Sequence, residues 1–189
     1  MFVKWGIPFL NSPASSNYPH ITRFSQPPLV SSTREEWAKT GRHLFSHGRY
    51  RQAERCFDRA GLILEQNISH AFLLRQNARL LERRSQQRQL TFEEAAKAFW
   101  KCAEMDQGQR TLCFIRSAEC YVKADRLRLA SDAYSCAEEW TLAARYARMA
   151  GEFDRALEII KESQGVEEKV ANSIKHVCKV VFARTEQME

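Results

Sequence analysis

Proline is absent after Pro28 in this 189-residue chain, and only seven glycines occur. Proline breaks helices, so its absence favours helix from there on. No apolar run approaches the ~20 residues that a membrane-spanning helix needs. No Gly-Lys pair exists anywhere, so the G-x-x-x-x-G-K-[ST] phosphate loop is missing and ATP hydrolysis by this chain is not expected. The six cysteines form no CxxC pair; each falls in a helical pattern, where cysteine behaves as a small hydrophobe. Met1 to Leu10 lacks the basic and apolar regions of a secretory signal. These absences point to a reducing, intracellular setting, cytoplasm or nucleus, and away from a membrane.

What is present suits a folded domain: 44% hydrophobic and 28% charged residues. All five prolines lie in residues 1–32, among serines and asparagines. This stretch reads as an extended leader with aromatic anchors (Trp5, Phe9, Tyr18, Phe24), of the kind that joins two domains of a longer protein. Residues 33–189 read as one α-helical domain.

The organising stretch is Thr33 to Ala60. Trp37, Gly41 and Leu44 share one helical face, and Ala53, Phe57 and Ala60 share another. Gly48, just before Tyr50, supplies the turn between them. The pair is a helical hairpin with small residues at the crossing and rings in the gaps. Thr33-Arg34-Glu35-Glu36 has the form of a capping box and starts the first helix; the second is expected over 51–66. Ser69 is expected to cap the third helix, which ends in the basic run to Arg88. Thr91-Phe92-Glu93-Glu94 reads as another capping box. It opens a helix carrying Ala96, Trp100 and Ala103, with Ala95, Phe99 and Cys102 as the competing register.

The roles then recur. Phe114, Ala118 and Tyr121 repeat Trp37, Gly41 and Leu44. Leu127, Ala130, Tyr134 and Ala137 repeat Tyr50, Ala53, Phe57 and Ala60. Trp140, Ala144 and Ala147 lead to Gly151, Phe153, Ala156 and Ile160 in a compressed fourth unit. Gly165 is expected to stop the eighth helix. Val166, Val170, Ile174, Val177 and Val181 form the apolar stripe of a ninth, with Lys169, Lys175 and Lys179 on its other face. The fold class expected is all-α: an α-α superhelix of about four hairpins plus a C-terminal capping helix, whose polar outer face ends the stack.

The spacing resembles the tetratricopeptide repeat, and Ala96 to Ala130 is its 34-residue period. Ala53 to Ala96, at 43, and Ala130 to Ala156, at 26, depart from it. The wording of Leu29 to Trp37, Gln52 to Gly61, Ala71 to Arg79, and Ala143 to Tyr146 with Gly151 to Ala156 resembles the helical-repeat region of the TPR and ankyrin repeat-containing proteins. In fungi these carry a UvrD-like helicase module upstream. The resemblance implies a non-catalytic scaffold that binds a protein, a peptide or a neighbouring domain, without cofactor. As an alternative, it implies a fragment of a larger ATP-dependent helicase whose motor lies elsewhere.

Charge supplies a further alternative. Residues 34–90 carry 12 basic and 6 acidic side chains, and residues 91–189 carry 15 and 17. Arg42, Arg49, Arg51, Arg55, Arg75, Arg79, Arg83, Arg84 and Arg88 belong to the basic half; the last five form a candidate face for nucleic acid or an acidic partner. No aromatic interleaves them for base stacking, so a solvated helix surface is the competing reading. His43 and His47, at i and i+4, lack a third ligand and read as a solvent-facing pair rather than a metal site. Cys113 and Cys120 are about 10 Å apart along one helix, which favours packing over a shared bond. Asn67-Ile68-Ser69 reads as a helix start rather than a sugar acceptor. Of the lysine–asparagine clamp of chaperone-binding repeats, Ala38, Arg42, Ala78 and Glu82 do not fit and in the third unit only Arg116 does, so the clamp is absent. No catalytic, cofactor or metal residues are expected.

Overall fold

The computed structural model describes residues 33–163 and 166–186. Among them nine α-helices follow one another without a strand: α1 (Arg34–Ser46), α2 (Tyr50–Arg59), α3 (Ile63–Leu80), α4 (Gln86–Met105), α5 (Arg110–Lys123), α6 (Leu127–Cys136), α7 (Trp140–Met149), α8 (Phe153–Glu162) and α9 (Glu168–Glu186). From α1 to α8 each helix packs on its chain neighbours, and α9 lies on α7 and α8. The result is the expected all-α stack of hairpins. The leader expected over 1–32 and the stop at Gly165 lie outside the described residues.

The crossings are made by small residues. Gly41 is buried, and a Cβ placed there would come within 2.8 Å of the Phe57 ring. That ring fills the space a side chain would need. Ala53, Ala96, Ala118, Ala130, Ala144 and Ala156 have no exposed surface. Two serines add polar ties where the axes are close. Ser117 Oγ donates to the Ala96 carbonyl and Ser131 Oγ to the Ala143 carbonyl, both at 2.8 Å and both buried. Both α4 registers are buried: Phe99 is 1% exposed, while Trp100 is partly buried and donates through Nε1 to Glu104.

Five turns share one geometry. Gly48, Gly61, Asp125, Glu138 and Gly151 have φ of 73°, 63°, 59°, 61° and 82°. After each, the next N–H reaches back five residues, as Leu62 does to the Phe57 carbonyl at 2.9 Å and Glu139 to Tyr134 at 2.9 Å. This pattern satisfies the orphan carbonyls of the preceding helix. It explains the compressed fourth unit: α6, α7 and α8 begin 13 residues apart, each a 10-residue helix and a three-residue turn.

Three expected boundaries are overturned. The second helix ends at Arg59 rather than near residue 66, because the left-handed Gly61 closes it. Ser69 caps nothing: it sits fully buried inside α3 and donates to the Glu65 carbonyl at 2.8 Å. Thr91 is likewise inside α4, donating to the Gln87 carbonyl at 2.8 Å; the cap is Ser85, whose Oγ accepts the Arg88 N–H. The box at Thr33 stands, with Thr33 Oγ1 accepting the Glu36 N–H and a Glu36 carboxylate oxygen accepting the Thr33 N–H.

Candidate functional site

The site is a groove on the face formed by α1, α3 and α5, with α2 and α4 beneath it. Its floor is Phe57 of α2 and Phe99 of α4, whose rings the alanine crossings bring to the surface of the odd-numbered helices. Leu64, Ile68 and Phe72 come from one side of α3, at steps of four residues. Leu112, Cys113 and Arg116 face them from α5, and Phe45 closes the end at α1. The rings hold one another at fixed angles: Phe72 meets Phe45 edge-on at 5.2 Å and Phe99 edge-on at 5.1 Å, and stacks on Tyr50 at 5.2 Å. Such pairs add to the burial of their area.

The open space is about 160 Å³. A cavity of roughly 150 Å³ takes one benzene ring, so the groove has room for one large apolar side chain and is smaller than a drug-sized pocket. Glu65, Asp106 and Gln109 supply polar edges. Asp106 Oδ2 accepts the Gln109 N–H at 3.1 Å, whereas the Glu65 carboxylate makes no ion pair among the described residues. Cys113 lies in the lining, and burial pushes its thiol up to about 12, so it stays protonated at neutral pH.

At the α5 end two guanidinium groups share one carboxylate. Arg75 Nη2 donates to Glu119 at 2.9 Å, and Arg116 Nη1 donates to both Glu119 oxygens at 2.8 Å. Arg116 is 5% exposed. Burial pulls the Arg75 pKa below its ordinary value, and Glu119 works against that shift. This triad ties α3 to α5 and leaves the groove with a net acidic edge.

The five arginines of the candidate charged face separate. Arg75 and Arg79 lie on α3, Arg83 and Arg84 in the turn after it, and Arg88 in the first turn of α4, so they do not continue one helix as expected. Arg75 serves the triad. Arg88 donates to the Leu81 carbonyl at 3.4 Å and covers the Phe92 ring at 5.3 Å. Arg79, Arg83 and Arg84 are exposed and form no ion pair among the described residues.

His43 and His47 are exposed with ring centroids 4.3 Å apart, and His47 Nδ1 lies 2.8 Å from the His43 carbonyl. Among the described residues no three histidine, cysteine, aspartate or glutamate side chains group to hold a metal. Five cysteines are buried, but Cys136 is exposed, contrary to the packing role expected of all six. Its place in the last turn of α6 turns it away from the alanine face. No described helix is long and apolar enough to cross a membrane.

Glu119 and Ser117 were not singled out by sequence reasoning. Ser117 stands next to Ala118 at a crossing, and a hydroxyl beside a small-residue position is a readable signal. For Glu119 the i,i+3 spacing from Arg116 is readable, but its tie to Arg75, 44 residues away, is not. Compared with protein-family models, curated proteins and solved structures, the chain matches none.

Proposed function

We propose that the chain is a non-catalytic helical-repeat scaffold, intracellular, whose α1–α3–α5 groove receives a peptide segment of a protein partner or of a neighbouring domain. The groove carries the reading: a rigid aromatic floor with room for one apolar side chain, edged by Glu65 and Asp106. The segment it fits has one bulky apolar residue beside lysine or arginine, since Glu65 and Asp106 outnumber Arg116 in the lining and Arg116 is held by Glu119. The resemblance to TPR and ankyrin repeat-containing proteins belongs to this proposal. In that setting the occupant is a segment of an adjoining domain, including a helicase-like one.

The test is selection of peptides from a random library on the full chain, followed by calorimetry. The expected peptides share an apolar anchor with basic flanks, and Leu112→Arg weakens them about tenfold or more while leaving the melting temperature within a few degrees. Selected peptides that bind Leu112→Arg as well as the parent would sink the proposal.

A second reading rests on the exposed, unpaired Arg79, Arg83 and Arg84: a small face for nucleic acid or an acidic partner. It requires binding that falls steeply with salt and disappears when these three become glutamate. Absence of binding to single- or double-stranded RNA and DNA at low salt removes the nucleic-acid version.

A further inference from the structure

Guanidinium groups near the groove are paired; those between α7 and α9 are not. Arg145 and Arg148 stand three residues apart on α7. Lys169 and Ser173, four apart, face them from α9, with Val170 and Ile174 as the apolar floor. These six residues enclose a cavity of about 200 Å³. No carboxylate lines it, and none of its three cations forms an ion pair among the described residues. Glu167 and Glu168 are close in sequence but outside the lining, and the Glu167 backbone N–H donates to Thr141 Oγ1 at 3.1 Å. Arg148 is half-buried, and its Nε–H is shielded from solvent with no acceptor. Buried N–H groups are almost always satisfied, and no residue of the lining supplies this one with an acceptor, so the cleft gathers three cations with no anion among the described residues.

We infer that this pocket binds a phosphoryl oxyanion. Two guanidinium forks, an ammonium and a hydroxyl present more donors than a carboxylate's two oxygens accept. A tetrahedral group with three or four oxygens and close to two negative charges meets both the donor count and the charge. The lining offers no aromatic ring for a base, which separates the site from a nucleic-acid track. It also lies in the half of the chain whose formal charge is negative, so overall charge does not create it. The proposal is independent of the groove and of its ligand.

The probes are inorganic phosphate and O-phosphoserine, titrated into the full isotope-labelled chain at ionic strength held constant with chloride. Amide NMR shifts are expected to saturate and to stay within residues 144–149 and 168–175. The Arg145→Gln/Lys169→Gln double variant, both exposed positions, is expected to weaken binding about tenfold with unchanged melting. Arg148→Gln should weaken it by at least as much. Tighter binding of O-phosphoserine identifies a modified side chain as the source, and tighter binding of inorganic phosphate identifies the free ion. Shifts that grow linearly without saturating, that spread over the whole surface, or that persist unchanged in the double variant overturn the site.

Discussion

Helices α3, α4 and α5 are 18, 20 and 14 residues long; α6, α7 and α8 are 10 each. The two triplets obey one crossing rule and produce different surfaces. In the short triplet the buried faces are mostly methyl groups: Ala130, Ala133, Ala143, Ala144 and Ala147 are all at 0% exposure, with Tyr134 and Ile159 buried beside them. In the long triplet, rings also reach past the neighbour, so that Phe72 of α3 touches Phe45 of α1 as well as Phe99 of α4. Rings of fixed shape seldom fill space completely, and the remainder is the groove. Length matters too, because α3 and α5 run far enough side by side for Arg75 and Arg116 to share Glu119. A stack of hairpins therefore acquires a groove where ring-bearing long helices meet the alanine-faced short ones.

The largest expected effect tests the charged end of the long triplet. Glu119→Gln leaves Arg75, with 15% of its side chain exposed, and Arg116, with 6%, without a counter-charge. Losing one partner of a buried pair costs about 3–5 kcal/mol, and the lower end applies because Glu119 is itself a third exposed. The matched change Glu152→Gln breaks only the pair with Arg128, whose side chain is 74% exposed, and should cost less than about 1 kcal/mol. Urea denaturation of both variants decides it: equal losses would mean that the triad does not hold α3 to α5.

A smaller effect separates the two kinds of crossing. Ala144→Leu forces three additional heavy atoms into the methyl face of α7 and should cost about 1–3 kcal/mol. Leu112→Phe adds volume beside an existing cavity and should cost less than about 1 kcal/mol. If the two melts coincide, the short triplet is not the tightly nested region described.

The hairpin rule was legible because it is local. Trp37, Gly41 and Phe57 announce themselves by spacing, and the Gly41–Phe57 contact is that spacing realised. The false caps show where local reading stops. Thr-x-x-Glu marks a helix start only when the chain before Thr is extended, and Thr91 follows five residues already helical. The true cap, Ser85, lies in a polar run with no apolar rhythm to point at it. Ser69 has a cap's chemistry in a core position. The arginine face failed for a similar reason: Arg75, Arg79 and Arg83 step by four, but the helix ends at Leu80 and one of the three turns inward to Glu119. The cavity between α7 and α9 joins residues some 25 apart through the angle of the last helix, which no period records; Lys169 is exposed as its place on the outer face predicts, but the facing Arg145 and Arg148 are not foreseeable from it.

The smallest expected effect concerns the turns that set the 13-residue step of the short triplet. Glycine holds the left-handed position at Gly151, but Glu138 holds the same position 13 residues earlier at φ 61°. An L-residue there costs about 1–2 kcal/mol, from the Cβ against the following carbonyl. Glycine removes that strain but adds about 0.4–1 kcal/mol of unfolded-state entropy. Glu138 is exposed and makes no ion pair among the described residues, so little else changes. Glu138→Gly should therefore stabilise by about 0.5–1 kcal/mol, and Gly151→Ala should destabilise by a similar amount. Both would be read as midpoint shifts in urea at constant slope. Destabilisation by Glu138→Gly would mean that the carboxylate, rather than the backbone turn, fixes the junction of α6 and α7. The short triplet would then owe its regular step to side chains, and the contrast with the long one would lose its structural basis.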